Sequence, residues 1–444
     1  MNVVVAALEA VGRWVTPERA RVYPRTILAA LMLSGVLALP LAPLFGLDAS
    51  PPVVRDFAAF YMAGHALNHG RSELLTDIEA QETYQHRLLE LPTDAKWSPW
   101  VYPPVLAFAF APLATLPYHA AWGASVVLLA GALWLALAML RRELPGLPAT
   151  RSSFWRALTF FPVFSCLLVG QVALFLLVPL AGFVRALRHG HEVRAGLWLG
   201  VFAVKPQLAL GLGVLLLFRR QWRAAGTAVV TALAIFAASY VLLPNATVQW
   251  FTHAPQVLRY MRQGASPSWG SYIAYGPFGS ASLLLHSLSP ELATAVGVAI
   301  TLGLLFAFTR LPRHESPSGR LLTLAAGVTL ALLLSPHLYV YDLALLLVPF
   351  WLVLSSGALE RAAIRGAVAL VYAGCFLGTY LSLAQVTVSE TLFGHGMAIQ
   401  FGLIAILFAV WAILRAASDP PRPRAASRSD GSSAESRRDI RTSS

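Results

Sequence analysis

Long apolar runs, separated by short arginine-rich stretches, set the pattern of the chain. A helix needs about 20 apolar residues to cross a hydrocarbon core. Segments 26–47, 119–140, 224–243 and 290–309 meet that length, and 366–384 and 396–414 meet it near the C-terminus. Three further apolar stretches, 157–184, 195–218 and 321–359, begin and end beside arginines. Each is interrupted at its middle, by Gly170-Gln171, Lys205-Pro206 and Ser335-Pro336-His337 respectively.

The arginines convert these runs into a topology. Clusters occur at Arg13, Arg19, Arg21 and Arg25, at Arg141, Arg142, Arg151 and Arg156, at Arg185, Arg188 and Arg194, and at Arg219, Arg220 and Arg223. Others follow at Arg310, Arg313 and Arg320, at Arg361 and Arg365, and in the tail. Basic residues in short loops mark the cytoplasmic side. If every cluster is cytoplasmic, each interrupted stretch enters the membrane and returns, as a hairpin of short or tilted helices. For 195–218 the alternative is one span kinked at Pro206, which would invert everything after it. The hairpin reading predicts an all-α polytopic membrane protein with about twelve membrane helices and both termini cytoplasmic. It divides the chain into a basic N-terminus (1–25), a transmembrane domain (26–415) and a disordered cytoplasmic tail (416–444). Two loops, 48–101 and 244–279, fall on the far side. The first carries eight acids against four basic residues, and the second holds Arg259 and Arg262 with no acid. Segment 103–116 is too short to cross and reads as interfacial or re-entrant.

Composition agrees. The chain is 57% hydrophobic and 12% charged, where soluble domains run at about 45–50% and 25%, so lipid must solvate much of it. The net charge of +12 suits a nucleic-acid binder as a bulk figure, but its dispersal between apolar runs is the membrane-orienting pattern, and no nucleic-acid partner is expected. Cys166 and Cys375 lie inside apolar segments and make neither a disulfide framework nor a metal-ligand spacing. Segment 26–47 reads as a retained span, not a cleaved leader.

The topology gathers chemistry-bearing residues. Asp56, Tyr102, Gln171, Lys205, His337 and Asp342 all fall near the face opposite the arginines. Charges at membrane depth are costly and face a bundle interior or cavity. Asp56 is either a general base or the N-cap of the helix that follows it. Lys205 either holds a phosphate or snorkels to the interface. His337 is an acid/base or phosphate donor, or else pairs with Asp342 to hold the hairpin tip. Arg259 and Arg262, among Trp250, Tyr260, Trp269, Tyr272 and Tyr275, fit phosphate contact, although an aromatic interface belt is the commoner origin of such a pattern. His-x4-Asp is too little for a metal site.

Asp56-Phe-Ala-Ala-Phe-Tyr, Tyr102-Pro-Pro, Ala111-Pro-Leu-Ala-Thr-Leu-Pro, Gly170-Gln171, Ala195-Gly-Leu-Trp-Leu-Gly-Val-Phe-Ala-Val-Lys-Pro-Gln, Arg219-Arg-Gln-Trp and Ser335-Pro-His-Leu-Tyr-Val-Tyr-Asp occur in the order seen in glycosyltransferase family 87, which this chain resembles over roughly residues 50–350. The resemblance implies a GT-C-type bundle acting as a polyprenyl-phosphate-mannose-dependent α-1,2-mannosyltransferase, with its active site on the extracytoplasmic side of the inner or plasma membrane. It implies Asp56 as catalytic base and His337 as its partner at the donor phosphate or acceptor. Lys205 and Gln171 match positions expected to bind the donor, and Tyr102, Asp342, Arg259 and Arg262 are placed with them. The pattern departs at Ala173, where the family has Asn. No cofactor and no metal are expected beyond the lipid-linked sugar donor. The partners are membrane lipid, that donor, and a glycolipid, glycan or protein acceptor. Two rivals remain at this point. One is a transporter or flippase, which also breaks helices at mid-membrane. The other is a related enzyme using an arabinosyl or aminoarabinosyl lipid.

Overall fold

A computed structural model describes residues 2–16, 18–19, 22–30, 33, 55–92, 95, 97–144, 146–255, 274–312, 316–336 and 338–418. Of the expected first span, only 26–30 and 33 are described, and they are helical. Most of that span lies outside the described residues, as do the tail beyond Ser418, His337, Arg259 and Arg262. The described residues are helical throughout, save for turns and one isolated bridge between Ala274 and Tyr339.

The chain opens with α1 (Asn2–Trp14). After the undescribed stretch, α2 (Arg55–Asn68) and α3 (Ile78–Leu88) build a small module with residues 97–116. Segment 103–116 is three short helical turns, Pro104–Leu106, Ala107–Phe110 and Leu113–Thr115, because its prolines cannot donate to a continuous helix. It packs tightly beneath α2, since a Cβ on Gly64 would lie 2.5 Å from the Phe110 backbone.

α4 (Tyr118–Glu143) is the first full-length described span. α5 (Thr150–Leu158) and α6 (Phe161–Val169) meet at a 77° bend, and α7 (Ala173–Arg188) returns from the break at Gly170. The ends of α4 and α7 are tied together. Glu143 accepts from Arg185 at 2.8 Å and from His189 at 2.6 Å, while Arg188 donates to the Glu143 carbonyl at 2.6 Å.

Close backbone contacts fix the direction of the next elements. In α8 (Glu192–Gly200), Gly196 meets Ala224 and Thr227, and Gly200 meets Ala228 and Thr231, of α10 (Trp222–Leu242). The two helices therefore run the same way. In α9 (Pro206–Phe218), Gly211 meets Ala331 while Leu215 meets Gly327, so α9 runs opposite to α14 (Pro317–Leu333). α10 ends at Leu243, packed on the α2–α3 module. Thus α8 approaches that module and α9 leaves it. Segment 195–218 goes in and comes back, and the single kinked span is excluded.

α11 (Pro244–Thr252), α12 (Pro277–Leu285) and α13 (Pro290–Thr309) follow. After α14 comes a 3-10 helix, Val340–Leu346, continued by α15 (Leu347–Ser355), and the chain closes with α16 (Ala362–Phe393) and α17 (Phe401–Ser418). Among the described residues, α4, α10, α13, α16 and α17 are long and apolar enough to cross a membrane, with a sixth span if α5 and α6 count as one. That falls short of about twelve. The hairpin arms are the reason: α8 has 9 residues, α9 has 13 and α14 has 17, all below the length of a full crossing.

The arginine clusters do gather. Arg320 lies near enough to Arg188 to feel its charge. Phe218, next to Arg219, stacks on Phe308, two residues before Arg310. Arg365 donates to the Gly12 carbonyl of α1. They occupy the end of the bundle away from the α2–α3 module.

In lipid, apolar burial contributes little to helix association, and small residues that let backbones approach carry it. A Cβ at Gly211 would stand 1.9 Å from the Ala331 carbonyl. Gly211→Val should lower the detergent-solubilised unfolding temperature, by an amount equivalent to about 1–3 kcal/mol. Gly213→Val, on the same helix with open space around it, should have a much smaller effect.

Candidate active site

Two of the interruptions, and the 3-10 helix that follows the third, meet at one place, each shaped by local chemistry. Gly170 caps α6 with φ +72°, a left-handed conformation that favours glycine. A Cβ there would also lie 2.8 Å from the Phe57 Cβ. The turn delivers Gln171, whose backbone is held by Cys166: the Gln171 N–H donates to the Cys166 carbonyl at 3.0 Å, and the Cys166 thiol donates to the Gln171 carbonyl at 2.9 Å. The buried Gln171 side chain bridges two distant segments. Its Nε2 donates to Asp56 Oδ2 at 2.9 Å, and its Oε1 accepts from the Tyr102 hydroxyl at 2.8 Å.

Asp56 sits in the first turn of α2 and is partly exposed. Its other oxygen is 3.5 Å from the Ser98 hydroxyl. Both described partners come from outside α2. Ser98 and Trp100 are positioned by two buried glutamines one turn apart on α3. Gln85 donates to the Ser98 carbonyl at 3.0 Å and accepts from its N–H at 3.1 Å; Gln81 does the same for Trp100 at 3.3 and 2.8 Å. The Tyr102 ring is wedged against Phe60 and Trp100, at 5.0 and 5.4 Å between centroids.

Lys205 precedes α9, where Pro206 has no N–H to continue a helix. A 3-10 turn, Val201–Val204, brings the chain there. The side chain is 3% exposed, and its ammonium donates to Asp342, which is fully buried. The other Asp342 oxygen accepts from the Tyr339 N–H at 3.3 Å, closing a capping box at the start of the 3-10 helix. The Lys205 ammonium also lies 5.1 Å from the Tyr341 ring centre and 5.9 Å from that of Tyr102, near enough for cation–π attraction. Burial and pairing exclude the snorkelling reading.

Asp56, Gln171, Tyr102, Lys205 and Asp342 thus form one contiguous array from five separate segments. Burial pushes the Asp56 carboxyl above the usual carboxylate range, opposed by the Gln171 hydrogen bond, by the charge of Lys205 and by Ser98. His337, Arg259 and Arg262 lie outside the described residues, so their relation to the array is untested. Of the described residues on either side of them, Trp250 of α11 donates to the Val101 carbonyl at 3.2 Å, and the Tyr275 N–H donates to the Leu338 carbonyl at 2.6 Å. Among the described residues, no three His, Cys, Asp or Glu side chains converge as metal ligands.

Sequence reasoning missed Ser98, Tyr341, and the Gln81 and Gln85 pair. Two glutamines at i, i+4 share a helix face, which was a usable signal. Tyr341 lies within the Ser335–Asp342 segment that carries the family resemblance, whereas nothing flags Ser98, whose importance comes only from what it touches.

The model of glycosyltransferase family 87 matches residues 100–336 of this chain. Neither the curated proteins nor the solved structures include a match.

Removing one partner of a buried ion pair strands the other and costs about 3–5 kcal/mol. Lys205→Met and Asp342→Leu should each lower the unfolding temperature strongly. The double variant should lose much less than the sum of the two, as measured by thermal unfolding in one detergent.

Proposed function

The chain belongs to glycosyltransferase family 87 and is on that ground a membrane glycosyltransferase, and from this we propose that it moves a hexose, mannose by family resemblance, from a polyprenyl phosphate to an acceptor hydroxyl on the extracytoplasmic side. The observation that carries the mechanism is the state of Asp56. Of the two aspartates in the array, Asp342 is sealed and saturated by Lys205 and Tyr339, whereas Asp56 is partly exposed and held in a fixed orientation by Gln171.

In the proposed reaction Asp56 takes the proton of the acceptor hydroxyl. The acceptor oxygen bonds to the sugar C1 as the bond from C1 to the phosphate oxygen breaks, and polyprenyl phosphate leaves with the electron pair. One displacement inverts the anomeric centre, so a β-linked donor gives an α-linked product. His337 with Arg259 or Arg262 would neutralise the departing phosphate. Lys205 would act from within its pair with Asp342, holding the Tyr102–Gln171 side of the pocket and lending positive potential to Asp56. The fold would then be a GT-C-type bundle of about twelve membrane elements, many of them short hairpin arms, with the lipid tail of the donor lying between helices. Both termini would be cytoplasmic.

Membranes containing the full chain should transfer radiolabel from mannosyl-phosphoryl-polyprenol to an endogenous acceptor. Asp56→Asn should reduce that transfer by about 10²–10⁴-fold. Undiminished transfer by this variant would remove Asp56 as base. Label passing from a different hexosyl lipid, and not from the mannosyl one, would change the sugar and leave the mechanism standing.

Transfer also needs Asp56 ionised. The rate should fall as pH drops through its pKa, at a pH above that of an ordinary carboxylate. Gln171→Leu removes a hydrogen bond that lowers this pKa, so the acid limb of the pH–rate profile should move to higher pH. An acid limb that stays in place would show that another group controls it.

A further inference from the structure

The bundle end remote from Asp56 carries a cleft that the transfer reaction does not use. Helical residues 22–30 lean against α5 and enclose about 730 Å³ between them. Arg25 and Leu28 line one side, and Arg151, Ser152, Trp155 and Arg156 the other. No carboxylate lines the cleft. All three guanidiniums are exposed, and among the described residues none of them takes part in an ion pair. At the same end Arg185, by comparison, is matched by Glu143 at 2.8 Å. Three like charges and no carboxylate around one apolar-walled cleft give it a positive potential that attracts an anion.

The place also matters. α4 ends its apolar run at Arg141 and Arg142, and α5 follows within a few residues, turned 77° from α6. Arginines at the end of a span mark the headgroup level. Trp155 is 52% exposed beside them, and tryptophan favours that same level. A guanidinium fork matches phosphate oxygens. The apolar walls, Leu28 and Trp155, offer contact to hydrocarbon but nothing to a free inorganic anion.

We propose that this cleft binds the phosphate of an anionic membrane phospholipid in the leaflet opposite the transfer site. The lipid bridges the first apolar segment to α5, so it is a structural ligand and not a substrate.

Native mass spectrometry of the full chain, released from detergent with phosphatidylglycerol and phosphatidylcholine, tests this. The wild-type chain should retain phosphatidylglycerol over phosphatidylcholine. The exposed Arg25→Gln, Arg151→Gln and Arg156→Gln changes should weaken that retention about fivefold per arginine removed. An Arg141→Gln, Arg142→Gln chain, altered at the same end but outside the cleft lining, should retain the lipid as the wild type does. Equal retention of both lipids, unchanged retention in the triple variant, or equal loss in the Arg141 and Arg142 variant would each overturn the proposal. Displacement of the lipid by inorganic phosphate would overturn it in favour of a soluble anion. Circular dichroism confirms that the variants are folded. None of these readouts involves sugar transfer, so their failure would leave the proposed reaction untouched.

Discussion

A buried ammonium in an apolar bundle must find an anion, and Lys205 finds Asp342 across 137 residues of chain. Much of the site geometry follows from that requirement. The pair fixes the break before α9 at the same depth as the 3-10 helix after α14, so two hairpin tips cannot slide past each other. Tyr341 then has one face on the ammonium, and Tyr102 approaches it from the α2–α3 module. Through Tyr102 the pair reaches Gln171, and through Gln171 it reaches Asp56. Such a pair contributes little net stability over an apolar replacement. Its value here is register: it sets which helix break meets which.

The arginines made this arrangement partly legible. Clusters between apolar runs imply in-and-out hairpins, and the contacts of Gly196, Gly200 and Gly211 bear this out for the least certain of them. The breaks at Gly170, Lys205 and Ser335 were visible because each couples a polar group to a helix-ending residue. What could not be read was pairing. A sequence shows that Lys205 and Asp342 are costly where they stand, but not that each is the answer to the other. The glutamine ladder of α3 was hidden for a related reason: Gln81 and Gln85 look like ordinary surface residues until the irregular segment 98–100 takes up both amides. The hairpin arms are short, as their interrupted runs imply, but α16 was read as 366–384 although its helix runs over Ala362–Phe393.

The two ends of the bundle divide the electrostatic work. At one end, guanidiniums gather and are matched by Glu143, by backbone carbonyls or, as proposed, by lipid phosphate. At the other, the described cation of the array is neutralised internally. Asp56 is then the described carboxylate of the array that no described cation pairs with directly.

Asp56, the proposed base, is a compromise between two opposed effects. Taking a proton from a sugar hydroxyl calls for a carboxylate of raised basicity, and burial of Asp56 supplies that by disfavouring its charged form. Too much burial would leave it protonated and useless. The Gln171 amide and the nearby Lys205 charge act in the other direction, and Gln171 does so while also fixing which carboxylate oxygen is free to face the pocket. An apolar residue at 171 would therefore harm the base in two separable ways, by protonating it and by letting it rotate. A glycine at 170 is what makes the first of these controls possible, since any Cβ there would collide with Phe57 on the helix that carries Asp56. Helix break, hydrogen bond and basicity are in this sense one device, built from three consecutive demands on the same short turn.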